Sequence, residues 1–492
     1  VVFAQSAADD VLLQMQQASR KQDLRTLTSL LPAIQDHPLE VWGHYWALKA
    51  RLSSATAQEV EDFLQRWRGT YQEDRLRNDW LLLLGQRRNW AEFERLHTEF
   101  RMQDDKQLRC YDLAIASIEG RLPQHASTEL QQLWMGQPAN DDGCTYAAST
   151  LYAAEQLPAL AVWQRARLGA ERNQLSTARN ALAIVAPQHV AALAGLFKSP
   201  QAYLSNPKTT PPPALATLAL VRLASNNPDQ AAQLLRTRWQ QSLSAEEQHW
   251  VWGMIGKVAA RRLSDNALDY FAQVKQLIDL NDDSLAWLAR AALRAGQWDK
   301  VQRAIAAMSP AQQQDSTWVY WQARALLTQG TPADQARAQA LLGSIAGVDG
   351  FYEQLAAEDL GQAVLPPPEP QPPTAEEIAR AHANPGLTRA LYAIRIGLRS
   401  EGVREWNYTT NLHQPGGMQD RDLLAAAAIA CQAQVWDRCI NTSERTKSFV
   451  SWQQRYPMPF KDEVVTRART IGLDPAYVYG LIRQESRFIM DA

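Results

Sequence analysis

Glu485, near the C-terminal end of this 492-residue chain, is the acidic residue best placed to do chemistry. A helix is predicted to begin at Asp474 and Pro475, because aspartate is a favoured N-cap and proline is tolerated at the first helical position. At about 100° per residue, Glu485 falls within an apolar stripe. The stripe consists of Val478, Leu481, Ile482, Phe488 and Ile489. A carboxylate in such a stripe loses hydration, which favours its protonated form and suits a general acid.

Two structural explanations compete with this interpretation of Glu485. The carboxylate could form a buried ion pair with Arg483 or Arg487, or its stem could pack while its charged end reaches water. Helical spacing alone favours these explanations over a catalytic role.

The sequence around Glu485 resembles a known enzyme family. Residues 473–475 (LDP) and 480–488 (GLIRQESRF) are similar to the opening of the catalytic domain of soluble lytic transglycosylases, glycoside hydrolases with a lysozyme-like fold. The pair Glu485-Ser486 is the hallmark of that domain. Other family-like segments follow in family order along the chain: 37–39 (HPL), 75–80 (RLRNDW), 350–356 (GFYEQLA) and 404–406 (REW). The resemblance therefore covers essentially the whole chain.

The resemblance implies a mechanism with one catalytic carboxylate. Glu485 would protonate the glycosidic oxygen between N-acetylmuramic acid and N-acetylglucosamine in peptidoglycan. It would then deprotonate the muramoyl 6-hydroxyl, which closes a 1,6-anhydro ring without water. The substrate's N-acetyl group would stabilise the oxocarbenium-like centre, so the lack of an obvious second acid is no objection. Ser486 would support the site by hydrogen bonding, although a plain helix-surface serine is nearly as compatible with its position.

Family members continue beyond the catalytic helix with a Gly-Leu-Met-Gln motif and further helices that build the sugar groove. The given sequence stops at Ala492, seven residues after Glu485, without that motif. A single helix cannot exclude water or position a sugar, so we expect residues 1–492 alone to be inactive.

Composition excludes several other classes of protein. The chain has 52 acidic and 50 basic residues, a net charge of -2, which offers no general positive field for nucleic acid. No apolar run approaches the roughly 18 residues needed to cross a bilayer. We find no His-Glu-x-x-His motif, P-loop or dinucleotide fingerprint, so neither a metal nor another cofactor is expected.

The first residues of the chain suggest export. Residues 1–8 (VVFAQSAA) are similar to the end of a signal peptide with its processing site, although an ordinary frayed N-terminus is the alternative. This favours the periplasm as the location. The four cysteines form two pairs along the chain, Cys110 with Cys144 and Cys431 with Cys439. Each pair could form a disulfide in an oxidising compartment, and buried free thiols compete equally.

An all-α fold is predicted, because helix-forming residues dominate and apolar residues recur at helical spacing. Helix–turn–helix hairpins are expected at residues 285–308, 81–93 and 429–440, with turns at Gly296, at 88–90 (RNW) and at 435–437 (VWD). Such a degenerate repeat indicates a superhelical solenoid. Most tryptophans should pack between helices, with sugar stacking possible for a few: Trp42, Trp46, Trp67, Trp80, Trp90, Trp287, Trp298, Trp318 and Trp321.

Proline-rich segments suggest the domain boundaries. Residues 366–373 (PPPEPQPP) should form a stiff extended spacer, whereas 211–213 (PPP) more plausibly mark a loop inside the solenoid. The predicted order is a signal remnant (1–8), a superhelical domain (9–365), the proline-rich linker (366–373), a helical linker domain (374–450) and the start of a lysozyme-like domain (451–492).

A non-enzymatic helical scaffold of the bacterial envelope remains the main alternative, because nothing before residue 450 excludes it. The enzyme interpretation implies peptidoglycan glycan strands as substrate and other cell-wall enzymes as possible partners.

Overall fold

The computed structural model describes residues 6–206, 210–412 and 417–490. Every regular element in these ranges is helical, which confirms the predicted all-α class. The chain divides into two compact units. The first unit comprises Val1–Asp112 and Pro367–Ala492, and the second comprises Leu113–Pro366.

The N-terminal part of the chain consists of short helices with well-formed caps. Ser6 and Asp9 form a capping box at the first helix, and Thr56 and Glu59 form another. Residues 1–5 of the expected signal remnant lie outside the described residues, whereas Ser6 already caps a helix. The helices are α1 (Ala7–Arg20), α2 (Leu24–Leu30), α3 (Glu40–Ala50), α4 (Ala57–Arg66), α5 (Tyr71–Gln86), α6 (Trp90–His97) and α7 (Lys106–Ile118), with 3₁₀ turns at Leu31–Ile34 and Leu52–Ser54.

The second unit is an array of helical hairpins. Its elements are α8 (Ala126–Met135), α9 (Asp142–Ala153), α10 (Ala159–Glu171), α11 (Leu175–Val185), α12 (Leu193–Lys198), α13 (Pro200–Ser205), α14 (Pro213–Ala224), α15 (Pro228–Leu234), α16 (Ala245–Arg261), α17 (Ala267–Phe271), α18 (Asp282–Arg294), α19 (Trp298–Ala306), α20 (Pro310–Gln313), α21 (Ser316–Gln329), α22 (Pro332–Ile345) and α23 (Phe351–Asp359), with 3₁₀ turns at Pro187–Ala192 and Leu277–Asp279 and a π turn at Leu235–Trp239. Helix α10 packs on α14, α14 on α16, and α16 on α18, so each hairpin covers its neighbour as in a solenoid.

The C-terminal part of the first unit is built on α25 to α27. Its core centres on Trp406 and Ile429, with small alanines that allow the helices to approach closely. The helices are α24 (Ala375–Ala383), α25 (Pro385–Arg395), α26 (Arg399–Leu412), α27 (Asp420–Gln432), α28 (Trp436–Ser443), α29 (Trp452–Arg455), α30 (Lys461–Thr470) and α31 (Pro475–Ser486).

All three predicted hairpins are present, and their turns share one backbone feature. Gly296 has a φ of 65°, in the left-handed region that glycine adopts without strain. Arg88 and Gln434 occupy the corresponding turns with φ of 57° and 60°. The same helix-ending geometry therefore recurs without glycine.

The two compact units differ from the domains predicted along the sequence. In this grouping the N-terminal helices up to Asp112 lie with the residues after Pro367, and the domain order predicted along the sequence stays a prediction. The physical reason is a set of polar contacts between residues that are far apart in sequence. Glu401 Oε1 accepts a hydrogen bond from Gln16 Nε2 at 3.0 Å, and Asp9 Oδ1 accepts one from Tyr392 Oη at 2.9 Å.

Glu405 is the most deeply buried carboxylate of this association, with no exposed surface. It accepts hydrogen bonds from Trp42 Nε1 at 3.3 Å, Gln72 Nε2 at 2.9 Å and Arg389 Nε at 2.7 Å. Burial raises the pKa of Glu405, although Arg389 and the two other donors act in the opposite direction. Glu405 and Trp406 of the family-like segment 404–406 are therefore buried inside the first unit.

The proline-rich segment packs against the first unit as well. Trp452 Nε1 donates to the Pro367 carbonyl at 2.7 Å, and Ser451 Oγ donates to Glu369 at 2.6 Å. Arg421 donates to the Gln371 carbonyl at 2.7 Å. The segment has no regular secondary structure, as predicted. These hydrogen bonds hold it against the first unit, so it is not a free spacer. In the other proline run, Pro213 opens α14.

The tryptophans expected to pack between helices fall into two groups by burial. Trp42, Trp46, Trp80 and Trp318 are buried between helices. The others are half-buried: Trp67, Trp90, Trp287, Trp298 and Trp321. No helix in the described ranges is long and apolar enough to cross a membrane.

Candidate functional site

Helix α31 carries the predicted catalytic residue, and its start is as predicted. The Asp474 side chain accepts a hydrogen bond from the Ala476 backbone N–H at 2.8 Å, and Pro475 is the first helical residue. The helix ends at Ser486, because Arg487 and Phe488 adopt left-handed φ of 49° and 62°. Glu485 therefore lies in the last turn of the helix.

The predicted burial of Glu485 is wrong. Glu485 is exposed, and Leu481, one turn before it, is 50% exposed. The helix packs instead through Tyr479, which is 8% exposed, and Ile482, both of which belong to a small core with Ile440. The helical stripe failed because Phe488 is past the helix end and reaches this core through the left-handed residues, not through helical periodicity.

The ion pair proposed as an alternative for Glu485 is also absent from the described residues. Arg483 and Arg487, the two arginines that flank Glu485, both bind Glu444, Arg487 at 2.9 Å. Glu485 itself has no hydrogen-bond or ion-pair partner anywhere in the described part of the chain. Its carboxylate is thus free to meet an incoming group.

Helix α31 is firmly attached on its other side. Tyr479 Oη donates to the Pro459 carbonyl at 2.8 Å, and Arg483 Nε donates to the Arg455 carbonyl at 2.8 Å. The Arg483 guanidinium also lies 4.5 Å from the ring centre of Tyr456. These contacts fix the rotation of the helix, and hence the direction in which Glu485 points.

The exposed side of α31 combines an aromatic ring, an apolar side chain and the acid. Tyr477 is 65% exposed and lies one turn before Leu481, which lies one turn before Glu485. Gly480, which precedes Leu481, is exposed as well, and a Cβ there would meet nothing within 4 Å. Sequence analysis missed Tyr477 as part of this surface, although its i, i+4, i+8 spacing to Glu485 could have revealed it.

Ser486 uses its hydroxyl locally. Its Oγ donates to the Ile482 carbonyl at 3.3 Å within the same helix, and the residue is half-buried. The oxygen retains lone pairs that can accept a hydrogen bond. Its supporting role stays a prediction.

A groove of about 740 Å³ in the first unit borders the residues that follow Glu485. Phe488, Ile489 and Met490 form one wall, and α25 and the turn before α28 form the others. Arg395 and Asp437 supply charge to its lining. This groove could not be predicted from sequence, because its walls come from segments about 40 to 100 residues apart.

The cysteines offer no chemistry at this site. Cys431 and Cys439 are joined by a disulfide between the end of α27 and α28. The pairing of Cys110 with Cys144 stays a prediction. Within the described residues, no group of three or more His, Cys, Asp or Glu side chains could hold a metal ion.

No family model matches the chain. The soluble lytic murein transglycosylase of Salmonella typhimurium is 22% identical over 493 aligned residues, covering 96% of this chain and 73% of that protein.

Two solved structures share the fold. An inactive mutant of the lytic transglycosylase Slt from Pseudomonas aeruginosa, in which a glutamate is replaced by glutamine, has a TM-score of 0.63 at 24% identity and covers 99% of this chain and 78% of its own. The 70-kDa soluble lytic transglycosylase of Escherichia coli has a TM-score of 0.56 at 18% identity and covers 97% and 77%. These similarities confirm the superhelical all-α fold expected from the sequence.

Proposed function

We propose that the protein with this sequence, a soluble lytic transglycosylase by its motifs and by its similarity to that family in sequence and fold, cleaves peptidoglycan without hydrolysis. The inactivity expected of residues 1–492 alone stays a prediction. The substrate bond joins the C1 atom of N-acetylmuramic acid to the O4 atom of N-acetylglucosamine. The products are a free N-acetylglucosamine 4-hydroxyl and a 1,6-anhydromuramoyl end. A Salmonella relative named for murein supports this choice of substrate.

The observation that carries the proposal is the free carboxylate of Glu485 on a fixed helix. A residue that acts first as acid and then as base must reach the substrate and must not be held by a permanent cation. Glu485 meets both requirements, because it is exposed and because Arg483 and Arg487 are bound to Glu444.

The proposed reaction transfers one proton through Glu485 in each direction. In the first step the protonated carboxyl gives its proton to O4 as the C1–O4 bond breaks, and the substrate's N-acetyl oxygen stabilises C1. In the second step the Glu485 carboxylate takes the proton of the muramoyl 6-hydroxyl as O6 bonds to C1. The carboxyl ends protonated, as it began, and no water is consumed.

We infer that the exposed side of α31 contacts the glycan. The Tyr477 ring and the Leu481 side chain offer apolar surface to sugar faces, next to the acid. Exposed large apolar residues in a row are uncommon on a surface without a function. Ser486, adjacent to Glu485, would accept a hydrogen bond from the protonated carboxyl and so orient it.

We propose a periplasmic location, where peptidoglycan is accessible. The relatedness to a murein transglycosylase supports it, and the Cys431–Cys439 disulfide is compatible with an oxidising compartment. The scaffold alternative would require that Glu485 have no role. A change at Glu485 therefore separates the two functions.

The test compares Glu485→Gln with Glu463→Gln in the natural gene product. Glu463 is an exposed glutamate on the neighbouring helix α30, so it is a matched control for the loss of one negative charge. Purified sacculi are digested, and anhydromuropeptides are measured by liquid chromatography and mass spectrometry. We expect a loss of at least about a hundredfold for Glu485→Gln and none for Glu463→Gln. Equal activity in both variants, at equal melting temperature, would refute the assignment.

A further inference from the structure

A groove in the second unit has the chemistry of a binding site that the catalytic proposal does not use. It has a volume of about 430 Å³ and lies between the end of α16, the start of α17 and one face of α18. That volume is within the range of about 300 to 1,000 Å³ typical of small-molecule sites. Trp287, Arg290 and Arg294 of α18 line it, with Leu263 and Asp265 on the opposite side.

Arg290 is held in place by two aromatic rings. Its guanidinium carbon lies 4.9 Å from the ring centre of Trp287 and 5.3 Å from that of Trp318. Trp318 is buried and anchored by a hydrogen bond from its indole N–H to Gln312 Oε1 at 3.3 Å. The guanidinium is therefore positioned without the aid of a carboxylate.

Arg290 is exposed, and within the described residues its guanidinium has neither a hydrogen-bond acceptor nor an ion-pair partner. The stacked arginines Arg66 and Arg167 differ, because they lie over Trp67 and Trp250 and are bound to Glu40 and Glu246. A guanidinium stacked on rings keeps its N–H groups available in the plane, in the geometry that binds a carboxylate with two hydrogen bonds.

The rest of the groove supplies an aromatic surface and a rigid rim. Trp287 is half-buried and lines the groove, and its indole N–H has no acceptor in the described chain. Arg294, on the same helix, reaches the opposite side, where it donates to the Leu263 carbonyl at 2.8 Å and lies 3.4 Å from Asp265. Arg294 and Asp265 pair with each other, so Arg290 is the charged residue of the lining that remains unpaired in the described chain. The groove therefore favours an anionic ligand.

We propose that this groove binds a muropeptide segment of peptidoglycan, with a sugar ring on Trp287 and a stem-peptide carboxylate on Arg290. This rests on the proposed function, which makes peptidoglycan the substrate. An N-acetylated sugar offers an apolar face for an indole, and the attached peptide offers carboxylates close to it. A ligand with both an apolar sugar face and a carboxylate matches Trp287 and Arg290 better than a neutral glycan or a simple anion does.

The test uses a purified disaccharide-tetrapeptide whose only glycosidic bond is the one this reaction leaves intact, so turnover does not obscure binding. Affinity is measured by calorimetry, and the site is located by hydrogen–deuterium exchange. We expect protection of residues 260–268 and 287–295 and an affinity about tenfold weaker in Arg290→Gln. Arg66→Gln, a stacked arginine elsewhere, should match the unaltered protein.

Two further ligands make the outcome decisive. The same disaccharide with its peptide removed and its lactyl carboxyl converted to an amide should bind the unaltered protein and Arg290→Gln with equal affinity, because it offers no carboxylate to the guanidinium. Dextran sulfate should give no protection of residues 287–295. The proposal is overturned if these residues are not protected by the muropeptide, if Arg290→Gln binds it as tightly as Arg66→Gln, or if dextran sulfate protects them equally.

Failure of the groove and failure of the catalytic proposal give different results. If the groove is not a site, Arg290→Gln loses no affinity while the unaltered protein still releases anhydromuropeptides. If the catalytic proposal is wrong, anhydromuropeptides are absent while protection of residues 287–295 can still be measured.

Discussion

Arg487 Nη1 lies 2.9 Å from Glu444 Oε2, and this contact turns Arg487 away from the proposed catalytic carboxyl of Glu485, two residues before it. Arg483 binds the other oxygen of the same glutamate. One acid in a neighbouring segment therefore holds both cations that could neutralise Glu485. The arrangement predicts that Glu444 contributes to activity without touching the substrate.

Glu444→Gln should lower kcat/KM on peptidoglycan by about two- to fivefold, because the released guanidinium groups can bind Glu485 in the resting enzyme. The unfolding free energy should fall by no more than about 1 kcal/mol, since these ion pairs are partly exposed. Steady-state kinetics and urea unfolding check both values. An unchanged kcat/KM, together with the small stability loss, would show that the pairing only supports the fold.

Gly480 provides a test of the exposed side of α31. Replacing an exposed helical glycine by alanine should raise the unfolding free energy by about 0.5 to 1 kcal/mol, because a Cβ there meets nothing. Gly480→Leu should keep this stability but reduce activity, since the larger side chain would stand in the path of the glycan.

Gly343→Leu is the matched control, because Gly343 is also helical with open space around it. We expect thermal unfolding to show no loss of stability in either leucine variant, and a loss of anhydromuropeptide release only for Gly480→Leu. Full activity in Gly480→Leu would exclude the surface around position 480 from substrate contact.

Glu405→Ala should destabilise the first unit by about 3 to 5 kcal/mol, because it leaves the Arg389 cation without its buried partner and the donors of Trp42 and Gln72 unpaired. Glu405→Gln keeps acceptors for these donors and should cost less. Urea unfolding followed by tryptophan fluorescence measures both. Equal, small effects would mean that the buried contacts do not hold the N-terminal helices to α25 and α26.

The pH dependence of stability should carry the signature of Glu405. Because burial raises its pKa in the folded state, the folded protein binds more protons than the unfolded chain above the ordinary value of 4.5. The contribution of Glu405 is therefore fully present below 4.5 and is lost as pH rises through the folded-state pKa. The difference in unfolding free energy between the unaltered protein and Glu405→Gln should decrease over this interval. A difference that grows with pH would contradict the burial argument.

Gly169→Ala should lower the unfolding free energy of the second unit by about 1 to 3 kcal/mol. A Cβ at this position would lie 2.7 Å from the Ala178 backbone nitrogen, so α10 and α11 would have to separate. Gly343→Ala, in open space, should instead stabilise the unit slightly. Calorimetric melting of Gly169→Ala and Gly343→Ala tests the close packing of the hairpin. A higher melting temperature in both variants would contradict that packing.

The sequence predicted features that depend on neighbouring residues. Asp474 and Pro475 specify a helix start by local hydrogen bonding and a preset backbone angle, and Gly296 marks a hairpin turn for a similar reason. Features that depend on distant residues were not predictable. Trp42 and Glu405 are 363 positions apart, and no periodicity links them.

The exposed position of Glu485 illustrates the same limit at short range. Helical spacing describes how the side chains are arranged around α31 up to Ser486. Phe488, however, enters the core with Tyr479 and Ile440 only after the helix has ended. The buried face is therefore that of Tyr479 and Ile482, and Glu485 faces outward. For an acid that must reach a large polymeric substrate, this position is more suitable than the predicted one.

Digestion of sacculi in water enriched in oxygen-18 is the most direct test of whether Glu485 cleaves the glycosidic bond without water. We expect muramoyl ends that are lighter than hydrolysed ends by one water and that carry no oxygen-18, and we expect these ends to be lost in Glu485→Gln. Reducing ends that contain oxygen-18, or anhydro ends formed equally by Glu485→Gln, would contradict this mechanism.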